Sequence, residues 1–169
     1  FDTASPNKKI MPNSNFSTID LRNALGSFAT GVTIITTLGS NGQKVGMTAN
    51  SFNSVSLDPA LVLWSIGRDT NCFEDFIAAD AFAIHVLADD QMNISNRFAK
   101  TGADRFAGLE TNEGLSGVPL LTHYSSCFQC NIEHQYDGGD HVILVGRVLE
   151  FTDKGHRPLI FYRGNYADI

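Results

Sequence analysis

The stretch GVTIITTLGSNGQKVGMTA, residues 31–49, decides the fold of this chain of 169 residues. Two runs rich in β-branched residues flank a short polar segment, and each run has the length of an ordinary strand. The polar segment contains Asn41 and Gly42 in succession, a pair that tight turns between antiparallel strands prefer. The stretch therefore predicts a β-hairpin whose turn lies within residues 39–43.

Further strands are predicted where short apolar or β-branched runs are bounded by turn residues. They cover residues 54–57, 61–66, 82–87, 126–136, 141–152 and 158–162. A first helix is predicted to begin at Ser17, with Asp20 three residues later as in a capping box, and to end between residues 26 and 31. Its apolar residues at helical spacing are Leu21, Leu25 and Phe28. Two more short helices are predicted at residues 71–79, capped by Asn71, and at residues 90–98.

Strands outnumber helices, and long crossover helices do not alternate with them as a parallel sheet would require. The pattern therefore predicts a mainly β protein with peripheral helices, built on a closed or partly closed antiparallel barrel. Residues 1–15 are polar and without periodicity, which predicts a flexible N-terminal tail. Residues 16–169 are then expected to form one domain.

Composition argues against several classes of function. The chain is 43 % hydrophobic and 18 % charged, as in ordinary globular proteins, and its net charge is −6. Its basic residues are scattered singly except for Lys8 and Lys9, so no basic patch is present to neutralise nucleic-acid phosphates. The apolar runs are too short to cross a membrane, and three cysteines fit a reducing compartment. We therefore expect a cytoplasmic protein that binds neither nucleic acid nor membrane.

Common catalytic fingerprints are missing from the sequence. The patterns G-x-G-x-x-G, G-x-x-x-x-G-K-[ST] and G-x-S-x-G do not occur. Cys127 and Cys130 have the spacing of metal ligands, but residues i and i+3 of a strand point to opposite faces, and no second pair exists. The five histidines contain no pair with ligand spacing, so no metal site is predicted.

Two histidines are predicted to have different roles. His85 lies within the predicted strand FAIHVL and is interpreted as a structural residue with satisfied hydrogen bonds. His141 follows Asp140 at the point where a turn containing Gly138 and Gly139 meets a strand. Functional imidazoles occur at such rim positions, so His141 is the candidate functional histidine.

An uncharged polar run, residues 48–56, precedes the apolar segment ALVLWSI. Thr48, Asn50 and Ser51 would supply short donors and acceptors to the edge of a flat heteroaromatic ring such as a flavin. The segment SIGRDTN, residues 65–71, adds hydroxyls, Arg68 and the expected start of a helix, which together suit a phosphate. The alternative is that the first segment is a plain polar loop and the second a helix cap.

The residues also resemble a known family. The segments FATGVTIIT, GMTANSFNSVSLDPALVLWSI, HVL, NRFA and GGDHVILVGRV, in this order and at these separations, are similar to the short-chain flavin reductases. These are the reductase components of two-component flavin-dependent monooxygenases, such as the reductase of p-hydroxyphenylacetate hydroxylase. The resemblance covers residues 18–166. It implies a homodimeric, FMN-binding split β-barrel of Greek-key type that reduces FMN or FAD with NADH or NADPH and supplies reduced flavin to a separate monooxygenase.

The same resemblance implies roles for individual residues. It places His141 near the nicotinamide and Tyr166 in the C-terminal aromatic position of the family. The expected ring contacts are Thr48, Ala49, Asn50, Ser51 and Phe52. The expected contacts of the ribityl chain and phosphate are Ser65, Ile66, Arg68, Thr70, Asn71 and Cys72. The site would be closed by Val86, Leu87, Asn96, Arg97, Phe98 and Lys100.

Several alternatives stay open from the sequence. These are FMN or FAD, NADH or NADPH, the identity of the partner oxygenase and its aromatic substrate, and whether residues 1–10 are native. Some relatives carry a C-terminal regulatory domain, which is expected to be absent or truncated here because the sequence ends at Ile169. Other functions on the same barrel are a carrier or sensor that binds FMN without turnover, and an oxidase of an amine or pyridoxal-type substrate.

Overall fold

The computed structural model describes residues 16–102 and 104–168, so the predicted tail of residues 1–15 lies outside the described residues. The described chain is mainly β with few helices, as predicted. Its strands are β1 (Thr30–Gly31), β2 (Thr33–Leu38), β3 (Lys44–Ala49), β4 (Asn53–Leu57), β5 (Ala60–Gly67), β6 (Ala81–Val86), β7 (Thr111–Glu113), β8 (Pro119–Leu121), β9 (Ser126–Asp137), β10 (His141–Asp153), β11 (Ile160–Tyr162) and β12 (Asn165–Ala167). Its helices are α1 (Thr18–Leu25), α2 (Phe73–Ala78), α3 (Met92–Ala99) and a 3₁₀ turn at Leu115–Gly117.

Seven strands form one antiparallel sheet in the order β3-β2-β6-β9-β10-β5-β4. Two small antiparallel sheets, β1-β11-β12 and β7-β8, accompany it. Within the described residues the edge strands β3 and β4 do not pair with each other, so hydrogen bonding between strands leaves the large sheet open. The strand pairing of the described residues therefore does not close the sheet into a barrel.

The predicted hairpin at residues 31–49 is confirmed. Leu38 pairs with Lys44 at the end of β2 and β3, and the Gly39 N–H donates to the Gln43 carbonyl at 2.9 Å. Gly42 has a φ of 75°, a left-handed conformation that glycine adopts without steric cost. The other predicted strands are also present, although the last is shortened to β11. The short strands β1, β7, β8 and β12 were not predicted, because two or three residues carry no periodicity.

The helices agree less completely with the predictions. Ser17 caps α1 as predicted, because its Oγ accepts the Asp20 N–H at 3.0 Å. However, α1 buries none of its residues, and Phe28 just beyond it is 73 % exposed, so the described chain leaves the apolar face uncovered. The predicted cap Asn71 is wrong: α2 begins at Phe73, and Cys72 occupies the cap position without a side-chain cap bond.

The main core lies between the large sheet and α2 and is centred on Trp64. This side chain is fully buried, and its ring meets those of Phe76 and Phe82 edge to face at centroid distances of 5.0 and 6.0 Å. A methyl group at Gly146 would lie 2.4 Å from the Phe82 ring, so only glycine lets β10 pass this close to the core. The sheet is therefore fixed against its core by close packing of rings and backbone.

Cys127 and Cys130 belong to two different buried clusters, as expected for residues that point to opposite faces of a strand. Both are free thiols, and burial raises the pKa of each to about 12. Because the thiolate is the form that binds metals and attacks disulfides, neither side chain is suited to those roles. The described residues also contain no cluster of three or more potential metal ligands.

His85 is a fully buried structural residue, as predicted. One ring nitrogen, Nδ1, lies 3.1 Å from the Ile34 carbonyl, and the other, Nε2, accepts the Leu121 N–H at 3.2 Å. A neutral ring that donates from Nδ1 satisfies both contacts. Burial lowers the pKa of His85 to about 4, since a charged ring would lose its hydration.

The lowered pKa of His85 predicts acid sensitivity of the fold. Between about pH 6.5 and pH 4 the unfolded chain binds a proton that the folded chain does not, so stability falls as pH falls. The contribution lost between about pH 7 and pH 5 should be about 2 kcal/mol in the free energy of unfolding measured with urea. His85→Gln should lack most of this loss, whereas His134→Gln, at an exposed position on β9, should retain it. An equal loss in both variants would contradict the assignment.

Candidate functional site

Two adjoining cavities meet at Thr48 and Ala99. The larger, about 430 Å³, is called the Tyr166 cavity and is lined by Val32, Thr48, Ala49, Asn50, Ser95, Asn96, Phe161 and Tyr166 among others. The smaller, about 280 Å³, is called the Thr70 cavity and is lined by Met47, Thr48, Asp69, Thr70, Asn71, Phe98, Thr101 and Arg105 among others. The structure thus brings together predicted site residues from β3, α3, β12 and the segment after β5. A separate cavity of about 200 Å³ beside Leu38 and Asp80 contains no predicted site residue.

The wall between the two cavities is held by side-chain hydrogen bonds. Thr48, near the end of β3, donates its hydroxyl to the Ser95 carbonyl of α3 at 2.6 Å. The Tyr166 hydroxyl, on β12, lies 2.9 Å from Ser95 Oγ and 2.8 Å from Asn96 Oδ1. Three elements that are distant in sequence are therefore tied together where a ligand would enter.

Ser51 and Ser65 bond to each other instead of facing the cavities. The Ser51 hydroxyl donates to the Ser65 carbonyl at 3.0 Å and accepts the Ser65 N–H at 2.9 Å. This pair links the chain after β3 to β5. The two serines thus hold the backbone beside the site, and their hydroxyls already have protein partners.

Several other predicted residues lie away from the cavities. Ile66 is fully buried in the main core, and Leu87 is fully buried in a second cluster that also contains Val32, Ile34 and Phe98. Phe52 packs on Phe128 at a centroid distance of 5.7 Å. Val86 is a partly buried residue of β6. Arg97 and Lys100 also line neither cavity, and Arg97 donates to the Ala107 carbonyl. These residues can support the site but their side chains do not line it.

Arg68 is bound to the turn between β9 and β10. Its Nε donates to the Gly139 carbonyl at 3.0 Å, and its Nη2 donates to Asp137 Oδ1 at 2.8 Å. Its backbone N–H donates to the Asp140 carbonyl at 3.0 Å. The bond from Arg68 lowers the pKa of the Asp137 carboxyl. Arg68, predicted as a phosphate contact, therefore fixes the turn that precedes His141.

His141 begins β10 directly opposite Gly67 of β5. Its Nδ1 lies 2.8 Å from Asp140 Oδ1, and this hydrogen bond lowers the pKa of the Asp140 carboxyl. A methyl group at Gly67 would lie 3.0 Å from Asp69 Oδ1, 3.3 Å from Thr70 Oγ1 and 3.6 Å from His141 Nε2. The free side of the imidazole therefore lies next to the loop that lines the Thr70 cavity.

Arg105 lines the Thr70 cavity and was not predicted from the sequence. Its guanidinium donates to the Gly46 carbonyl, and twice to the Lys100 carbonyl at 3.1 and 2.9 Å. It also lies beside the Cys72 thiol, where burial raises the pKa of the thiol and Arg105 opposes that rise. Within the described chain Arg105 has no carboxylate partner. A single arginine in the aperiodic segment TGADRFAGL gave no signal of this placement.

The flavin reductase like domain matches residues 25–169. The chain belongs to this family. The family prediction made from the sequence is therefore confirmed.

Individual members of the family resemble the chain closely. The reductase component of a flavin-dependent trigonelline monooxygenase from Acinetobacter baylyi is 46 % identical over 147 residues, which cover 87 % of this chain and 47 % of that protein. The FMN reductase (NADH) SmoA from Agrobacterium fabrum is 40 % identical and covers 96 % of this chain, with 92 % of SmoA matched. The chain spans about half the length of some curated relatives, including the first of these and a probable flavin reductase from Rhizobium meliloti.

Solved structures show the same fold. The NADH:FAD oxidoreductase SgcE6 from Streptomyces globisporus, in complex with NAD and FAD fragments, has a TM-score of 0.84 and 37 % identity. The match covers 89 % of this chain and 92 % of SgcE6. The flavin reductase PheA2 has a TM-score of 0.82 and 34 % identity, over 91 % of this chain and 99 % of PheA2.

The residues of the two cavities fit the flavin that gives this family its name. The Tyr166 cavity combines apolar walls, such as Val32 and Phe161, with the polar groups of Asn50 and Asn96, as a flat ring with a polar edge requires. The Thr70 cavity offers Arg105, a cation without a carboxylate partner in the described chain, as a phosphate requires. Ring and phosphate would thus occupy adjoining spaces on either side of Thr48.

The contacts of Arg68 predict that it controls the order of the turn before His141. Arg68→Gln should make the amide of Gly138, which donates to the His141 carbonyl at 3.0 Å, exchange with solvent severalfold faster, because the turn loses two side-chain bonds. Amide hydrogen exchange followed by NMR measures this rate. Arg147→Gln is the matched control, since it removes the ion pair with Glu133 from the same hairpin but further from the turn. Unchanged exchange at Gly138 in Arg68→Gln would contradict the role.

Proposed function

We propose that the chain is an NAD(P)H-dependent flavin reductase that reduces FMN or FAD by hydride transfer. The observation that carries this proposal is the pair of adjoining cavities at Thr48, one suited to a ring and one ending at Arg105. The relatives SmoA, named an FMN reductase that uses NADH, and SgcE6, named an NADH:FAD oxidoreductase, support the same activity. Reduced flavin would then pass to a separate monooxygenase, as expected from the relative named as a monooxygenase reductase component.

The protein's part in this reaction is placement. A bound flavin supplies the ring that accepts the hydride, so the reaction requires close approach of two rings and no protein nucleophile. Thr48, Ala49 and Asn50 would bind the ring edge, and the bonds of Thr48 and Tyr166 to Ser95 keep that wall fixed. Arg105 would hold the phosphate and so set how far the ring enters the Tyr166 cavity.

His141 would orient the nicotinamide or its pyrophosphate. Asp140 holds the Nδ1 side of the ring, which leaves Nε2 directed toward the loop of Asp69 and Thr70. Arg68 keeps the turn before His141 in one conformation. The imidazole can therefore act as a positioned donor or acceptor beside the Thr70 cavity without being an obligatory acid.

A homodimeric split barrel is part of the same proposal. The Ser51 and Ser65 bonds draw the chain after β3 toward β5, which supports a sheet curved toward closure. Exposed apolar side chains include those of α1 and the residues around it, and those of the strands β4 and β10. Leu57 of β4 is 95 % exposed and Phe151 of β10 is 66 % exposed. A second copy of the chain would remove such surface from water.

The proposed domain is residues 16–169. No helix in the described ranges 16–102 and 104–168 is long and apolar enough to cross a membrane. The cytoplasmic location stays a prediction, and the three buried free cysteines support it.

The reductase function predicts sustained turnover. When purified protein is mixed with NADH or NADPH and an excess of free FMN or FAD, each protein molecule should oxidise many equivalents of the reduced nicotinamide. The fall in absorbance of the reduced nicotinamide measures this turnover. A single stoichiometric reduction would contradict the reductase and indicate a carrier or sensor. Flavin reduction that requires an amine substrate instead of NAD(P)H would indicate an oxidase.

The position of His141 predicts a selective kinetic effect. His141→Ala should raise the KM for the reduced nicotinamide about tenfold, because one positioned contact is lost, while the Kd of the flavin changes less than about twofold. Steady-state kinetics and flavin titration measure the two quantities. His134→Ala is the control, since this histidine is exposed further along β9 and lines neither cavity. Unchanged steady-state kinetics in His141→Ala would contradict a role of His141 in orienting the nicotinamide.

A further inference from the structure

Three polar side chains converge on one small space beside Gly67, the last residue of β5. Gly67 pairs with His141 across β5 and β10. Asp69 Oδ1, Thr70 Oγ1 and His141 Nε2 all lie within 3.6 Å of the point where a Cβ of residue 67 would stand. Because glycine has no Cβ, this space is open, and Asp69 and Thr70 also line the Thr70 cavity. The three polar atoms can therefore reach a single small group.

These three atoms have no partner within the described part of the chain. The side chains of Asp69 and Thr70 make no hydrogen bond or ion pair there. His141 is held through its other ring nitrogen, since Nδ1 lies 2.8 Å from Asp140 Oδ1. Polar groups that converge without bonding one another are what a site for a polar ligand requires.

The chemistry of the three atoms defines the group that they would bind. The ionised Asp140 carboxylate only accepts hydrogen bonds, so Nδ1 of His141 carries a proton, and Nε2 of the neutral ring is an acceptor. The Asp69 carboxylate is a second acceptor, and the Thr70 hydroxyl can donate. Two acceptors and one donor match a primary carboxamide, which has two N–H donors and one carbonyl oxygen.

Other groups of the proposed reaction fit this space less well. A phosphate would be repelled by Asp69, and it can lie at Arg105 instead, because no ion pair joins these two residues of the cavity wall. A flavin edge presents one N–H between two carbonyls, so one acceptor would lack a donor. The amino group and N1 of adenine offer the same pattern as the carboxamide. However, only the carboxamide is attached to the ring that must approach the flavin in the adjoining Tyr166 cavity.

We propose that Asp69, Thr70 and His141 bind the carboxamide of the reduced nicotinamide over Gly67, and that Asp69 is a specificity-determining residue for that amide. This inference rests on the proposed reductase function and names the group of the hydride donor that the chain recognises. Asp69 and His141 accept the two N–H groups, and Thr70 donates to the carbonyl. The ring is thereby held in one rotation about its bond to the ribose, so that one face meets the flavin. Asp69 is not among the site residues that the family resemblance implies.

The test compares NADH with reduced 3-acetylpyridine adenine dinucleotide, in which a methyl ketone replaces the amide. The analogue keeps the carbonyl and lacks both N–H donors. At saturating flavin, Asp69→Ala should raise the KM for NADH about tenfold, because the amide loses an acceptor, and should change that for the analogue less than about twofold. Each variant is compared with the wild type on the same dinucleotide, so the different reduction potentials of the two compounds cancel.

A matched control makes the same substitution away from the site. Asp58→Ala lies in the turn before β5, at the opposite end of the strand from Gly67, and should leave both KM values unchanged. The Kd of the flavin should change less than about twofold in Asp69→Ala, which shows that the variant is folded and that its effect concerns the nicotinamide.

Two further variants separate the partners of the amide. Asp69→Asn keeps an oxygen that accepts, so it should recover part of the affinity for NADH that Asp69→Ala loses. Thr70→Val removes the donor to the carbonyl, which both dinucleotides carry, so it should raise the two KM values about equally. A rise for NADH alone in Thr70→Val would overturn the assignment of the carbonyl to Thr70.

Reduced nicotinamide hypoxanthine dinucleotide, which lacks the amino group of adenine, tests the other source of the same hydrogen-bonding pattern. Asp69→Ala should raise the KM for this compound as much as for NADH, since both carry the carboxamide. A rise for NADH without a rise for the hypoxanthine compound would show that Asp69 binds adenine, and the inference would be overturned.

Other outcomes separate the amide site from the enzyme activity. Equal rises for NADH and the acetylpyridine analogue in Asp69→Ala overturn the amide site even where NADH oxidation is sustained. Where the wild type oxidises no NADH, calorimetric titration with NAD⁺ and the oxidised analogue measures binding instead. A preference for NAD⁺ that Asp69→Ala abolishes then supports the amide site while the reductase function fails. A wild-type chain that binds neither dinucleotide overturns both.

Discussion

The site depends on the hydrogen bond from Thr48 to the Ser95 carbonyl, at 2.6 Å. It joins the end of β3 to the middle of α3, and the strands β4, β5 and β6 and the helix α2 lie between these two elements in the chain. Ser95 is itself bound through its hydroxyl to Tyr166 near the C-terminus. A partly buried polar network of this kind holds one arrangement of its members, because each lost partner would leave a polar group unsatisfied. Both cavities that meet at Thr48 therefore have a wall of defined shape before any ligand arrives.

Arg68 and Arg147 pair with carboxylates, whereas Arg105 has no carboxylate partner among the described residues. The Arg147 guanidinium makes two bonds to Glu133, at 2.9 and 2.6 Å, and Arg68 is similarly matched to Asp137. Arg105 is held as firmly, but by carbonyl oxygens, which fix a guanidinium without cancelling its charge. A fixed and uncancelled cation in a cavity attracts anions at little further cost in side-chain entropy. Arg68, in contrast, is paired with Asp137, and its bonds hold the turn between β9 and β10.

Local patterns in the sequence were sufficient for much of the fold and for part of the site. Runs of β-branched residues located the hairpin and the long strands, and Ser17 was recognisable as a helix cap. The resemblance to the flavin reductases located Thr48 and Tyr166, which the fold then placed in one cavity. Arg105 could not be found in this way, because it meets the carbonyl of Gly46 across a long separation in sequence. Asn71 is not the cap because α2 begins at Phe73, one residue later than a cap at Asn71 requires.

The residue types at the end of β3 and directly after it follow from their place beside the two cavities. Thr48 lines both cavities, and Ala49 and Asn50, the residue directly after β3, line the Tyr166 cavity. Aromatic rings and α3 press on this strand, so a larger side chain at Gly46 would collide with Phe98. A charged side chain among these positions would also have to leave water beside the packed wall, at a cost that short hydroxyl and amide groups avoid. Small and uncharged residues therefore suit the end of a strand that must both complete a sheet and face a ligand.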